Sequence, residues 1–264
     1  MPETQVGLAL SGGAVRGAAH CGVLSVFDEE GIKPRVIAGT SAGAAVGAAY
    51  AAGLAPARIA DMLHGLSWPS VAKFAGFKKR GLYSLSPWAD FLAGVLDNAT
   101  FDTLDIRLVT VSCDLMTGKR VLLTEGDLAS AVRASTAIPG LFEPVEDGDK
   151  LLVDGGTIDN YPATVPFEFG ADVVIGVNVS AQKPLTAPRN PISVLLAAAE
   201  IRGRSTGVDV ANVGIVPSVS EFSSFDFDAV PEIYQRGREA ATEALPEIRS
   251  AIEQGHPPAR TTWD

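Results

Sequence analysis

Gly39-Thr40-Ser41-Ala42-Gly43 holds a serine two residues from a glycine on either side. A hydroxyl in that setting becomes a nucleophile when the chain turns sharply from strand to helix and pushes Oγ out of the sheet edge. Small flanking residues let the two elements pass without collision. The pattern recurs at Gly203-Arg204-Ser205-Thr206-Gly207, so the pentapeptide alone decides nothing. The neighbours do. Ser41 follows Val36-Ile37-Ala38 and opens an alanine-rich stretch, which reads as strand then helix. Ser205 follows Ala197-Ala198-Ala199-Glu200-Ile201-Arg202, which reads as a helix ending with Gly207 as cap.

A glycine-rich loop, Ser11-Gly12-Gly13-Ala14-Val15-Arg16-Gly17, lies between an apolar run and a helical pattern. As a dinucleotide fingerprint it fails at Ala14, where the second glycine belongs, and again at Ala38-Gly39-Thr40, where an acidic ribose ligand belongs. No Gly-Lys-Ser/Thr follows, which excludes a P-loop. What remains is a row of backbone N–H groups at a helix start, suited to a tetrahedral oxyanion. Neighbouring parallel strands deliver their C-terminal loops to one crevice, so the Gly12 loop and Ser41 are expected to meet. Arg16 reads either as a residue that orients the loop or binds an anion, or as a solvated charge at a helix start.

A serine nucleophile needs a base, and the chain has three histidines. His20 falls a turn into the first helix, His64 near the end of a surface helix, and His256 in a proline-flanked tail; each reads as packed or exposed rather than catalytic. Asp154 ends the run Leu151-Leu152-Val153 and precedes Gly155-Gly156. A carboxylate held dry against a serine hydroxyl can act as the base, because desolvation raises its pKa. A plain strand-end turn is the other reading of Asp154-Gly155.

The elements that must position these groups follow from periodicity and punctuation. Strands are expected at Val6–Leu10, Val36–Ala38, Arg107–Ser112, Arg120–Leu123, Leu151–Val153, Val173–Val177 and Val210–Val216. Helices are expected over Gly17–Glu30, from Ser41 to about Gly53, over Asp127–Ala134 with Asp127 as N-cap, and over Ile192–Arg204 and Val230–Ile252. Strand then helix, twice in the opening stretch, predicts a mostly parallel sheet with helices on its faces. No linker or repeat divides the chain, so one domain is expected, with its core over about 5–253 and a tail at 254–264.

The 264 residues are 47% hydrophobic and 20% charged, a globular composition. The formal net charge of −10 argues against nucleic acid and against electrostatic adhesion to anionic lipid, so any membrane contact falls to aromatic and aliphatic side chains. Met1 to Gln5 has no basic leader, and the apolar stretch Ala42–Ala57 is too weak for a bilayer span. Cys21 and Cys113 lie in apolar segments without metal-ligand spacing and read as free buried thiols. A cytoplasmic location follows as the expectation. Oligomeric state is not legible.

These pieces coincide with a family. The blocks Leu8 to His20, Val36 to Gly43, Arg133-Ala134-Ser135-Thr136-Ala137-Ile138-Pro139-Gly140-Leu141-Phe142, and Leu152 to Gly156 through Asn160, Pro162 and Gly170 to Ile175 stand in the order found in bacterial patatin-like phospholipases, which the chain resembles. The resemblance implies a three-layer α/β fold and a Ser-Asp dyad, with Ser41 as nucleophile and Asp154 as base. Gly12, Gly13 and Ala14 would supply oxyanion-hole amides. It also implies hydrolysis of acyl esters in phospholipids, lysophospholipids or simple lipids, without metal or cofactor. Two positions depart from the pattern: Ala14 stands where glycine is usual and resists positive φ, and Asp159 stands where asparagine is common.

One stretch fits no strand–helix rhythm. Residues 66–96 contain Trp68, Phe74, Phe77, Tyr83, Trp88 and Phe91, six of the 18 aromatics, with Lys73, Lys78, Lys79 and Arg80 among them. In an acidic chain this basic-aromatic insert suits an interfacial lid beside the acyl pocket; a satellite core under a long loop is the alternative. A lipid or ester substrate is the expected partner, with transient membrane-surface contact. An acyltransferase on the same dyad, or a non-catalytic binding protein on the same scaffold, are the competing readings.

Overall fold

The computed structural model describes residues 4–76, 79–180, 194 and 210–255. Phe77, Ser205, His256 and, apart from Val194, the helix expected over Ile192–Arg204 lie outside the described residues.

In chain order the elements are β1 (Val6–Leu10), α1 (Ala18–Glu30), β2 (Val36–Thr40), α2 (Ala42–Ala51) and α3 (Pro56–His64). Then come α4 (Trp68–Val71), β3 (Lys73–Phe74), β4 (Gly81–Ser84), α5 (Ser86–Val95), β5 (Arg107–Asp114) and β6 (Lys119–Leu123). They are followed by α6 (Leu128–Ser135), β7 (Gly140–Phe142), β8 (Val145–Asp147) and β9 (Lys150–Asp154). The chain continues through α7 (Val165–Glu168), β10 (Val173–Val177), β11 (Val213–Ile215) and α8 (Val230–Gln254). Among the described residues eight strands form the main sheet, in the order β11-β10-β1-β2-β5-β9-β8 with β6 also on β5. β11, β10, β1, β2 and β5 are parallel; β6, β9 and β8 are antiparallel additions. This is the expected α/β architecture.

The central strands are buried throughout, yet their side chains still sort by the two-residue period of the pleat. Leu8, Leu10 and Ile37 join the large core under the helices, whereas Ala9, Val174, Ala38 and Val109 face Tyr161, Ala163 and Val165 on the other side. Helices thus cover one face of the sheet, and among the described residues the segment after β9 with the short α7 covers the other. On the larger side α1 and α8 cross at very short range. A Cβ on Gly22 would meet the Tyr234 carbonyl oxygen at 2.1 Å, and one on Gly237 would meet that of Ala19 at 2.1 Å. Gly31 closes α1 in the left-handed conformation (φ 70°), and Asp127 caps α6 by accepting from the Ser130 N–H at 2.6 Å.

The strand expected over Val210–Val216 is shorter, Val213–Ile215, and α1 starts at Ala18 after a single 3₁₀ turn over Ala14–Gly17. The segment without a rhythm forms α4, β3, β4 and α5, and β3-β4-β7 make a separate small sheet. No described helix is long and apolar enough to cross a membrane.

Candidate active site

β2 stops at Thr40 and α2 starts at Ala42, leaving Ser41 alone in the turn at φ 53° and ψ −117°. For a residue with a Cβ, that conformation costs on the order of 1–3 kcal/mol. Both flanking glycines are forced by close approach. A Cβ on Gly39 would lie 2.5 Å from the Gly43 carbonyl oxygen, and one on Gly43 would lie 2.2 Å from that of Leu10. The strain is held by a residue that the sequence reading left without a role. The Ser41 N–H donates to Ser135 Oγ (2.9 Å), and the Ser135 hydroxyl donates to the Val111 carbonyl (2.6 Å). Ser135 is fully buried at the end of α6. Its only sequence signal was its place in the third block of the resemblance.

Strand register explains how Asp154 reaches Ser41. β6 pairs with Thr110 to Asp114 along one edge of β5, so β2 and β9 must share the other. β2 occupies that edge up to Val111, opposite Thr40; β9 takes it over at Ser112, opposite Asp154. Where β2 turns off at Ser41, the end of β9 fills the vacated place. The Ser41 hydroxyl therefore donates to Asp154 Oδ2 at 2.7 Å, while the Gly156 N–H donates to Oδ1 at 2.7 Å. Asp154 is 5% exposed. Burial pushes its carboxyl up to about 6, against the opposing pull of the Ser41 and Gly156 hydrogen bonds. Such a group is ionised at neutral pH yet basic enough to accept a proton from the serine.

The Gly12 loop does meet Ser41, since β1 and β2 are adjacent and parallel. Its three expected donors are not equivalent. The Gly12 N–H is already given to the Asn160 carbonyl at 3.0 Å, and a Cβ there would meet Asn160 Oδ1 at 2.4 Å. Gly12 is thus a spacer rather than a free donor, a correction to the expected trio. The N–H groups of Gly13 and Ala14 have no hydrogen bond among the described residues, and both residues line the cleft beside Ser41. Ala14 takes φ 50°, so the alanine that departs from the family pattern occupies the left-handed conformation that favours glycine. Arg16 is buried, and its Nε donates to the Gly13 carbonyl (3.4 Å), bracing the loop from within; it is not a solvated charge.

His20 is fully buried with Nε2 on the Ser11 carbonyl at 2.8 Å, and desolvation lowers its pKa to about 4. It is a neutral prop under the glycine loop, bonded to neither Ser41 nor Asp154. His64 is exposed at the end of α3. Asp159 finds its partner in Arg120, whose guanidinium also reaches Thr164 and Glu168 (3.0, 3.2 and 2.6 Å). Its backbone carbonyl accepts from Thr40 Oγ1 at 2.9 Å, so this strut ties the Asp154 loop to the end of β2. Both cysteines are free and buried. Among the described residues no group of three or more His, Cys, Asp or Glu is placed to hold a metal.

Two chambers join at Ser41. One is almost wholly apolar, walled by Ala45, Val46, Leu63, Leu66, Trp88 and Phe227. The other carries the polar groups of Gly13, Arg16, Asp154, Thr157 and Asn160. Of the aromatics in 66–96, Trp88 is buried in the apolar wall and stacks on Phe91 with ring centres 5.5 Å apart. Trp68 meets Tyr83 and Phe225 edge-on, each at 5.3 Å, which is packing of the satellite-core kind. Phe74 is 57% exposed.

A buried carboxylate on the hydroxyl of a strained strand–helix turn, with unpaired amides alongside, is an arrangement fit for acyl transfer on an α/β sheet. The chain belongs to the patatin-like phospholipase family, whose model matches residues 8–167. It is 30% identical to an uncharacterised NTE family protein of Mycobacterium tuberculosis over 91% of this chain and 46% of that one. It is 26% identical to lysophospholipase NTE1 of Pyricularia oryzae over 92% of this chain and 18% of that one. The chain thus spans less than half the length of either relative. Among solved structures, VipD from Legionella pneumophila superposes with a TM-score of 0.62 at 14% identity, covering 94% of this chain and 67% of that one. The ExoU–SpcU complex of Pseudomonas aeruginosa gives 0.51 at 16% identity, covering 96% and 52%. At such identities these two show the fold alone.

Proposed function

We infer that the chain cleaves the carboxylic ester of a lipid through an acyl-enzyme on Ser41, with Asp154 as base. The observation that carries this reading is the 2.7 Å hydrogen bond from Ser41 Oγ to a buried carboxylate. As Oγ attacks the ester carbonyl, its proton passes to Asp154, and the carbonyl oxygen takes negative charge. The N–H groups of Gly13 and Ala14, with the N-terminus of α2, stabilise that oxyanion. Collapse of the tetrahedral intermediate breaks the ester C–O bond, and Asp154 returns the proton to the departing alcohol. Water then repeats the sequence: Asp154 takes its proton, the acyl–Oγ bond breaks, and Ser41 recovers its hydrogen.

The chambers favour a substrate with one chain and one polar end. An acyl tail suits the apolar chamber, and a glycerol or headgroup suits the polar one. A lysophospholipid has that shape, and the name of the Pyricularia relative points the same way. Residues 66–96 would then act as the acyl wall and lid. The test is labelling by a soluble fluorophosphonate together with hydrolysis of a lysophospholipid and of a short-chain ester. Wild type should label and hydrolyse, and Ser41→Ala should do neither. Equal labelling of Ser41→Ala would end the reading, and transfer of the acyl group to an added alcohol in place of water would redirect it to an acyltransferase.

A further inference from the structure

Behind the apolar chamber lies a third cavity, away from Ser41, between the end of β4, the start of α5, α6 and the β7–β8 loop. Its wall carries three cations, Lys79, Arg80 and Arg133, and two hydroxyls, Ser84 and Ser86. Two polar atoms there, Arg133 Nε and Ser86 Oγ, are buried with no hydrogen-bond partner among the described residues. Both atoms are closed to solvent, so a ligand in the cavity would meet other atoms of these two residues. At the start of α5 the N-cap residue is Leu85, and the Ser86 N–H donates to Ser84 Oγ at 3.2 Å. Carboxylates are present too. Glu146 is paired with Arg80 at 3.0 Å, and Glu143 lines the wall, so the cations outnumber the acids.

We propose that this cavity is a second binding site, for a phosphate group. A guanidinium, a lysine ammonium and two hydroxyls can all donate, the complement of a tetrahedral oxyanion bearing several acceptors. A metal ion would be repelled by the same three cations. In a chain of net charge −10 the cluster is a local exception to the acidic surface. Leu85 lines both this cavity and the apolar chamber, so a phosphate-bearing lipid held here would sit one side chain away from the chamber wall. The phosphate could be free in solution or the headgroup of a membrane phospholipid.

Two arms separate those sources. Inorganic phosphate is titrated by calorimetry at fixed ionic strength. Co-sedimentation is measured with phosphatidylcholine vesicles alone, doped with phosphatidic acid, or doped with oleate to equal charge. The variants are Lys79→Gln and Arg133→Gln, each expected to weaken binding about fivefold or more. Saturable phosphate binding with that dependence supports a site for free phosphate. Binding to the phosphatidic acid vesicles alone, with the same dependence, supports a headgroup site. The proposal is overturned if neither arm shows binding, if the variants bind as wild type does, or if oleate vesicles serve equally well. Should Arg133→Gln not fold, the exposed Lys79 decides alone. Fluorophosphonate labelling of the same samples keeps the two proposals apart: a chain that binds phosphate but never labels refutes the hydrolase reading and leaves this site standing.

Discussion

The reacting groups and the wall they face are built on different principles. Ser41, Asp154 and the Gly12 loop hang on the ends of sheet strands, and glycines with no room for a Cβ fix their places. The chamber wall from Leu66 to Trp88 lies outside the main sheet, on short helices and a small sheet, and is held by aromatic packing of Trp68 against Tyr83, Phe142 and Phe225. Backbone hydrogen bonding fixes position to fractions of an ångström, whereas side-chain packing tolerates repacking at modest cost. On the proposed reading, the strand ends hold the chemistry fixed while the wall adapts to the acyl chain. The contrast also ranks substitutions: those at the strand ends should abolish turnover, and those in the wall should shift preference.

The largest effect is expected at Asp154. Asn is nearly isosteric but cannot take the Ser41 proton, so Asp154→Asn should lower kcat about a thousandfold or more. Stability should move the other way. The folded carboxyl binds its proton more tightly than the unfolded one, with a pKa raised from 3.8 to about 6. The resulting advantage is full below the ordinary carboxylate value and is lost as pH rises through about 6. Above that, the buried charge costs on the order of 3 kcal/mol. Asp154→Asn should therefore melt at a higher temperature than wild type at pH 8, with the gap closing toward pH 4. Wild-type kcat/KM should fall below about pH 6. A pH-independent melting difference would mean that the carboxyl is not raised, and would break the contrast at its strongest point.

Ser135 comes next, and it tests whether the turn is held or merely formed. Ser135→Ala removes the acceptor of the Ser41 N–H and the donor to Val111, so a strained residue loses its pin. A drop in kcat of about 10- to 100-fold, with KM nearly unchanged, is the expected result. A rise in KM with kcat preserved would instead place Ser135 in the substrate pocket.

What could be read from the chain divides along the same line. Ser41, Asp154 and the glycine loop were legible because each sits at a boundary between elements, where short-range chemistry forces glycine, serine or aspartate. The strands from Val6 to Val177 that carry them announce themselves by apolar runs. Gly12 was misassigned because the use of its N–H depends on the Asn160 carbonyl, nearly 150 residues away, and nothing local signals it. Ser135 was silent for the same reason, being a lone hydroxyl whose partners, Ser41 in the β2–α2 turn and Val111 in β5, lie far off in the chain. That Asp154 reaches Ser41 from an antiparallel strand sharing the β2 edge of β5 is a fact of register, which the sequence does not spell. In residues 66–96 the aromatics stood out, but lid and satellite core could not be told apart. Trp68 packs as satellite core, Trp88 lines the chamber and Phe74 is exposed, three roles set by tertiary contacts.

The smallest and most discriminating effect should come from the wall. Trp88→Leu shortens a buried side chain over the apolar chamber without touching Ser41, Asp154 or the loop. Some stability will go with the indole, about 1–3 kcal/mol for a partial truncation of a buried aromatic. That loss acts on all substrates alike through the folded fraction. The informative quantity is therefore the ratio of kcat/KM for a long-chain ester to that for a short-chain ester, measured well below the melting temperature. A long tail loses contacts with the removed ring and a two-carbon acyl group does not. The area at stake is a few tens of square ångströms, at about 25 cal/mol per Å². The ratio should fall about three- to tenfold, with the short-chain rate nearly preserved. Parallel loss on both would mean that Trp88 supports the catalytic turn itself. The wall and the strand ends would then be one mechanical unit, and the contrast between them would fail.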